Sequence, residues 1–116
     1  VTCSPSYTRH VAAAIRAVIE TERYGTYHVT NAGACTWYAF ATEIFRQAEV
    51  SADLSATTQD AFPSLARRPL YSALAHAALH ALNVPDIPDW RQGIRAYLDE
   101  RRTLTRLPSL RNAATE

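Results

Sequence analysis

The sequence predicts an α/β fold: a small domain of about four helices with one short parallel strand pair, joined as a βαβ unit. Two patterns predict it. Apolar residues recur at helical spacing behind a capping residue or a proline in several places. Two short stretches alternate apolar and polar residues, and one of the helical stretches lies between them.

In chain order, Pro5 bars a helix from running further back, and Thr8 is a candidate cap for the first helix. Val11, Ala12, Ile15, Val18 and Ile19 share one face of it, and Gly25 suits the left-handed position beyond its end. "TYHVTN" (26–31) alternates as a strand does, and "NAGAC" turns the chain. Thr36 caps a second helix near 37–48, with Trp37, Phe40, Ala41, Ile44, Phe45 and Ala48 in a stripe. "ADLSATT" (52–58) is a weaker strand, and pairing it with the first gives the parallel crossover. A loop with Pro63 and Pro69 follows, "QDAFPSLARRPLY". Ser72 caps a third helix carrying Leu74, Ala75, Ala78, Leu79 and Leu82. After a prolyl linker, Asp89 caps a last helix with Trp90, Ile94, Tyr97 and Leu98 on one face. "RRTLTRLPSLRNAATE" has little amphipathic pattern and reads as a frayed tail.

The chain's 116 residues, 47% of them hydrophobic, suffice for one domain with a core. A net charge of +1 argues against a polarised field for nucleic acid or a membrane surface, and no apolar run is long enough to span a bilayer. There is no Met, which points to a piece of a longer chain. All twelve basic residues are Arg, so Schiff-base chemistry, a P-loop lysine and a Tyr-x-x-x-Lys pair are impossible within these residues. Cys3 and Cys35 form no C-x-x-C motif; free thiols in a reducing cytosol are the default, and a disulfide is the alternative.

"NAGAC" follows an expected strand and precedes a helix, as a phosphate-binding turn does, but it holds one glycine where a dinucleotide fingerprint needs three. It reads as a tight turn. His76 and His80 stand four apart on the third helix, with no third ligand nearby in sequence, and read as solvent-facing rather than as a metal site. Arg67 and Arg68 sit in a loop bounded by prolines. Their planar forks match phosphate oxygens, and the competing reading is a solvated pair. No carboxylate pair and no nucleophile elbow is visible, so catalytic residues are not expected here.

"SPSYTRHVAAAI", "GTYHVTNAGACTWYAFATEIF", "FPSLARRPLYSALAHAALHAL" and "PDWRQGIRAYL" resemble, in order and spacing, the carboxyl-terminal part of the dTDP-4-dehydrorhamnose reductase family, within the extended short-chain dehydrogenases/reductases. The resemblance implies a cytoplasmic enzyme that reduces a dTDP-linked 4-keto sugar with NADPH toward dTDP-L-rhamnose. It also implies that a Rossmann domain, absent here, holds the cofactor and the catalytic pair. This chain then corresponds to the domain that closes over the nucleotide-sugar: residues 1–103 as the substrate-binding domain, 104–116 as a flexible tail. On its own it is expected to be inactive and to bind no NADPH. Its first helix is expected to expose an apolar face toward the missing domain, and self-association could follow. Carried over by motif, Arg68 faces the nucleotide, Arg67 flanks it, and Trp37 is either a contact or core. Some members place magnesium at a dimer interface, and Glu100 stands at one such acidic position. The alternative is a non-catalytic, reductase-like regulatory or interaction module.

Overall fold

The structure, a computed structural model, describes residues 1–57, 61 and 64–105. Its elements are β1 (Thr2–Cys3), α1 (Thr8–Glu20), β2 (Cys35–Thr36), α2 (Trp37–Ala48), α3 (Ala77–His80) and α4 (Trp90–Thr105). The fold is α/β with four helices among the described residues, as expected, but the strands are not the expected ones. β1 and β2 pair antiparallel, with Thr2 opposite Thr36 and Cys3 opposite Cys35. The parallel βαβ pair is therefore corrected. Residues 26–31 run outside any strand ladder, as do 52–57, while Thr58 lies outside the described residues. The reason is a competing partner. Ala32 donates its N–H to the Pro88 carbonyl at 2.9 Å and accepts the Trp90 N–H at 3.0 Å. The prolyl linker thus takes the hydrogen bonds that a second strand would need.

α2 begins as its sequence predicts: the Thr36 side chain accepts the Ala39 N–H at 3.1 Å. It ends on Glu49 in the left-handed conformation. α4 follows Asp89, whose side chain accepts the Arg91 N–H at 3.0 Å. α1 starts one residue from the expected cap: Tyr7 holds the cap position, and Thr8 is already helical. The same helix ends at Glu20, well before Gly25, because Thr21 turns back and donates its hydroxyl to the Val18 carbonyl at 2.7 Å. α3 is shorter than its apolar pattern suggests. Ser72 does not cap it, since the Ser72 N–H is bound to the Thr2 carbonyl at 2.8 Å and the chain there is held at the sheet. Past α3, Asn83 takes the left-handed conformation often filled by glycine. α4 continues through Thr105, so the first part of the expected frayed tail is helical; residues 106–116 lie outside the described residues.

Two cores hold these pieces together. Ala14, Leu79 and Ile87 pack with Val18, Val29 and Val84, joining α1 to α3 and the linker. Cys35, Trp90 and Ile94 pack with Phe40, Ile44 and Leu98, joining β2, α2 and α4. α1 turns Ala14 and Val18 inward, whereas Ile15 and Ile19, expected on one apolar face with Val18, are 46% and 70% exposed.

Candidate functional site

Asn31 is the fully buried side chain at the centre of the described fold. Its Oδ1 accepts the Tyr7 N–H at 2.8 Å, and its Nδ2 donates to the Pro88 carbonyl at 3.0 Å. The same Nδ2 lies 2.9 Å from Nδ1 of His10. The Asn31 N–H donates to the Ser6 hydroxyl at 3.2 Å. One amide therefore ties the entry of α1 to the segment before the turn and to the linker before α4, with its polar atoms paired as burial demands. Gly93 makes room for it: a Cβ there would stand 3.2 Å from Asn31 Nδ2.

The turn that follows is shaped by packing. Gly33 has φ +85°, and a Cβ on it would meet Asp89 Oδ1 at 2.8 Å and the Trp90 ring at 3.1 Å. Asp89 and Trp90 press close against this turn, and the glycine serves the close approach of α4.

The turn also delivers β2 and Trp37 to a small sheet. Thr2 sits at its middle, with Thr36 on one side and a parallel bridge to Tyr71 on the other. Thr2 donates its N–H to the Leu70 carbonyl at 2.7 Å and accepts the Ser72 N–H at 2.8 Å. With strands about 4.8 Å apart, Thr36 and Tyr71 are separated by roughly 10 Å. The sheet thereby brings the start of α2 and the exit of the arginine loop to neighbouring positions. Trp37 is 55% exposed, its ring edge-on to Phe40 at 5.8 Å, so it is only partly core. Arg67 and Arg68 are both exposed in the segment leading to Leu70. Pro63, expected to brace the other end of this loop, lies outside the described residues.

Other candidates turn inward. His76 is half-buried, not solvent-facing: its Nε2 lies 2.7 Å from the Thr30 hydroxyl. Burial, and then the nearby His80 and His28, push its pKa down. His80 is exposed, and among the described residues no three metal-ligating side chains cluster. Glu100 accepts the Tyr7 hydroxyl and pairs with Arg9 at 3.3 Å, so its carboxylate is engaged within the fold and is a poor fit for a cation. An apolar groove of about 300 Å³ between the entry of α1 and the helices α2 and α4 is lined by Tyr7, Phe40, Ile44, Trp90 and Leu98; it offers no cationic group for an anion. Asn31 is the residue that sequence reasoning missed. It ends an alternating stretch, and nothing local marks its side chain as the hub.

Residues 2–103 match the family model described as the RmlD substrate binding domain. The chain belongs to this family. SpsK, a spore coat polysaccharide biosynthesis protein of Bacillus subtilis, is 35% identical over 98 residues, covering 84% of this chain and 34% of its own length. The dTDP-4-dehydrorhamnose reductase of Escherichia coli K12 is 32% identical over 87 residues, covering 70% of this chain and 29% of its own. Among solved structures, the dTDP-4-dehydrorhamnose reductase of Bacillus anthracis in complex with NADP superposes with a TM-score of 0.82 at 33% identity, covering 85% of this chain and 35% of that one. A Clostridium acetobutylicum dTDP-4-dehydrorhamnose reductase gives 0.83, also at 33% identity, covering 87% of this chain and 36% of that one. This RmlD-type chain thus spans about a third of the length of these relatives. The resemblance drawn from the four sequence blocks is borne out. Among the described residues, no helix is long and apolar enough to cross a membrane.

Proposed function

We propose that this chain is the nucleotide-sugar-binding part of an NADPH-dependent dTDP-4-dehydrorhamnose reductase that contributes to dTDP-L-rhamnose synthesis. The observation that carries the reading is the small sheet on which Thr2 joins the start of α2 to the exit of the arginine loop. A guanidinium fork and an exposed indole on neighbouring positions suit a ligand with phosphates and a planar base. Arg68 holds phosphate oxygens, Arg67 flanks it, and Trp37 offers its ring to the nucleotide. NADPH and the reacting groups belong to the rest of the enzyme, because the turn at Gly33 is closely packed by Asp89 and Trp90. The exposed Ile15 and Ile19 of α1 are the face for that missing domain.

The test is made in the full-length parent enzyme. Arg68→Ala should raise the KM for the dTDP-sugar by roughly 30- to 150-fold, as expected for losing a charge-assisted bidentate contact of about 2–3 kcal/mol. Arg68→Lys should recover part of this, since an ammonium cannot form the fork. Arg67→Ala should have the smaller effect. A larger loss from Arg67→Ala would reassign the contact. A parent with no dTDP-sugar turnover or binding would identify a non-catalytic module instead.

A further inference from the structure

Cys3 and Cys35 face each other across the β1–β2 ladder as direct partners. Thr2, one residue earlier, turns its N–H and C=O the other way, to the Leu70 carbonyl and the Ser72 N–H respectively. Backbone hydrogen bonds alternate sides along a strand, so Cys3 turns its own toward Cys35, and the two form a hydrogen-bonded antiparallel pair. Such pairs hold their Cα atoms at about 5.5 Å, inside the range of roughly 4.4–6.8 Å that a disulfide spans. Their side chains lie on one face of the ladder, with Cβ atoms roughly 4.5–5.5 Å apart, wider than the mean of about 3.8 Å in a disulfide. A bond here closes a small gap and is correspondingly easy to reduce.

The two thiols differ in access. Both are free; Cys35 is buried in the Trp90 and Ile94 core, and Cys3 is only half-buried. Burial pushes Cys35 up to about 11, with Cys3 adding to the shift, and raises Cys3 as well. Since the thiolate is the attacking form, reaction is slow near neutrality and quickens as pH rises. Cys3 is the thiol an oxidant meets first, and Cys35 is reached across the ladder.

We propose that Cys3 and Cys35 form a reversible cross-strand disulfide on meeting a disulfide oxidant of the glutathione class, so that this ladder is a redox-modification site. The Cys3 thiolate attacks oxidised glutathione; a Cys3–glutathione bond forms, and the other glutathione leaves as a thiolate and takes up a proton. Cys35, its proton released to water, then attacks the Cys3 sulfur and expels the second glutathione. Two protein thiols are oxidised and one oxidised glutathione becomes two reduced molecules, so electrons and protons balance. The bond covalently fixes β1, the segment whose Thr2 also holds Leu70 and Ser72 beside the arginine loop.

The experiment treats the folded chain with oxidised glutathione across a pH series, then measures free thiols by maleimide labelling and the intact mass. Both thiols should disappear together without retained glutathione, faster at higher pH, and return on adding excess reduced glutathione. Cys35→Ser should accumulate a glutathione adduct on Cys3, and Cys3→Ser should leave Cys35 unreacted. Cys35→Ala replaces the serine variant if a hydroxyl at this buried place prevents folding, as circular dichroism would reveal. A wild-type chain that keeps glutathione on Cys3 while Cys35 stays free would overturn the proposal, as would thiols that pair only in denaturant.

Discussion

The side-chain oxygen of Asn31 accepts the backbone N–H of Tyr7 at 2.8 Å, across a sequence separation of 24. That N–H belongs to the cap residue of α1, one of the donors a helix cannot satisfy from within. A side chain distant in sequence therefore does what a local cap usually does.

Replacing Asn31 with Leu should be costly for this reason. The Tyr7 N–H would lose its partner, and the Pro88 carbonyl would keep only its bond from the Ala32 N–H, for a loss of about 1–3 kcal/mol. Urea unfolding of Asn31→Leu would show it as a lower midpoint; a change within about 0.5 kcal/mol would mean that water replaces the amide without penalty.

Gly33→Ala should destabilise by about 1–3 kcal/mol, since Gly33 has a left-handed φ of +85° and the new Cβ would press on Asp89 Oδ1 at 2.8 Å. Thermal unfolding of the variant would record this. An unchanged midpoint would show that Asp89 and Trp90 yield freely.

His76 predicts a mildly acid-sensitive fold. Its pKa is pushed down, chiefly by burial, so the folded protein favours the neutral ring. The stability it contributes is complete above the unfolded value of about 6.5 and is lost as pH falls through the lower folded value. His76→Gln should flatten the fall in stability below about pH 6.5. A variant with the same pH profile as the parent chain would place the sensitivity on another group.

Glu43 acts at lower pH. The Arg46 guanidinium, bonding at 2.9 Å through Nε, and then the Gln47 amide, hold its carboxyl at about 2. The folded value is depressed, so its contribution is present above about 4.5 and disappears as pH falls toward about 2. Glu43→Gln should remove that part of the acid transition, as followed by circular dichroism during titration. An acid midpoint unmoved by the change would count against the pairing.

The helices were legible where their signals are local. Thr36 caps α2 and Asp89 precedes α4 because each cap and stripe lie within a few residues of one another. The strands were not legible. Residues 26–31 alternate as a strand should, yet Asn31 and Ala32 bind the linker at Pro88, a partner no periodicity identifies. β1 is two residues long and has no pattern to read. Ser72 looks like a helix cap until its N–H is found on Thr2. At the site, residue types suggested Arg67 and Arg68, and the resemblance added Trp37; the backbone pairing of Thr2 with both Thr36 and Tyr71 is invisible in order along the chain.

The place of Thr2 between β2 and Tyr71 also sets an order of assembly. The Ser72 hydroxyl meets the Thr2 carbonyl across a separation of 70 residues, whereas the Thr36 cap of α2 spans three. Loop-closure entropy delays contacts of the first kind, so α2 and α4 can form and collide before the sheet closes. The segment at the exit of the arginine loop is then expected to dock last and to open early. Its amides at Thr2 and Ser72 would exchange hydrogen ahead of those inside α2.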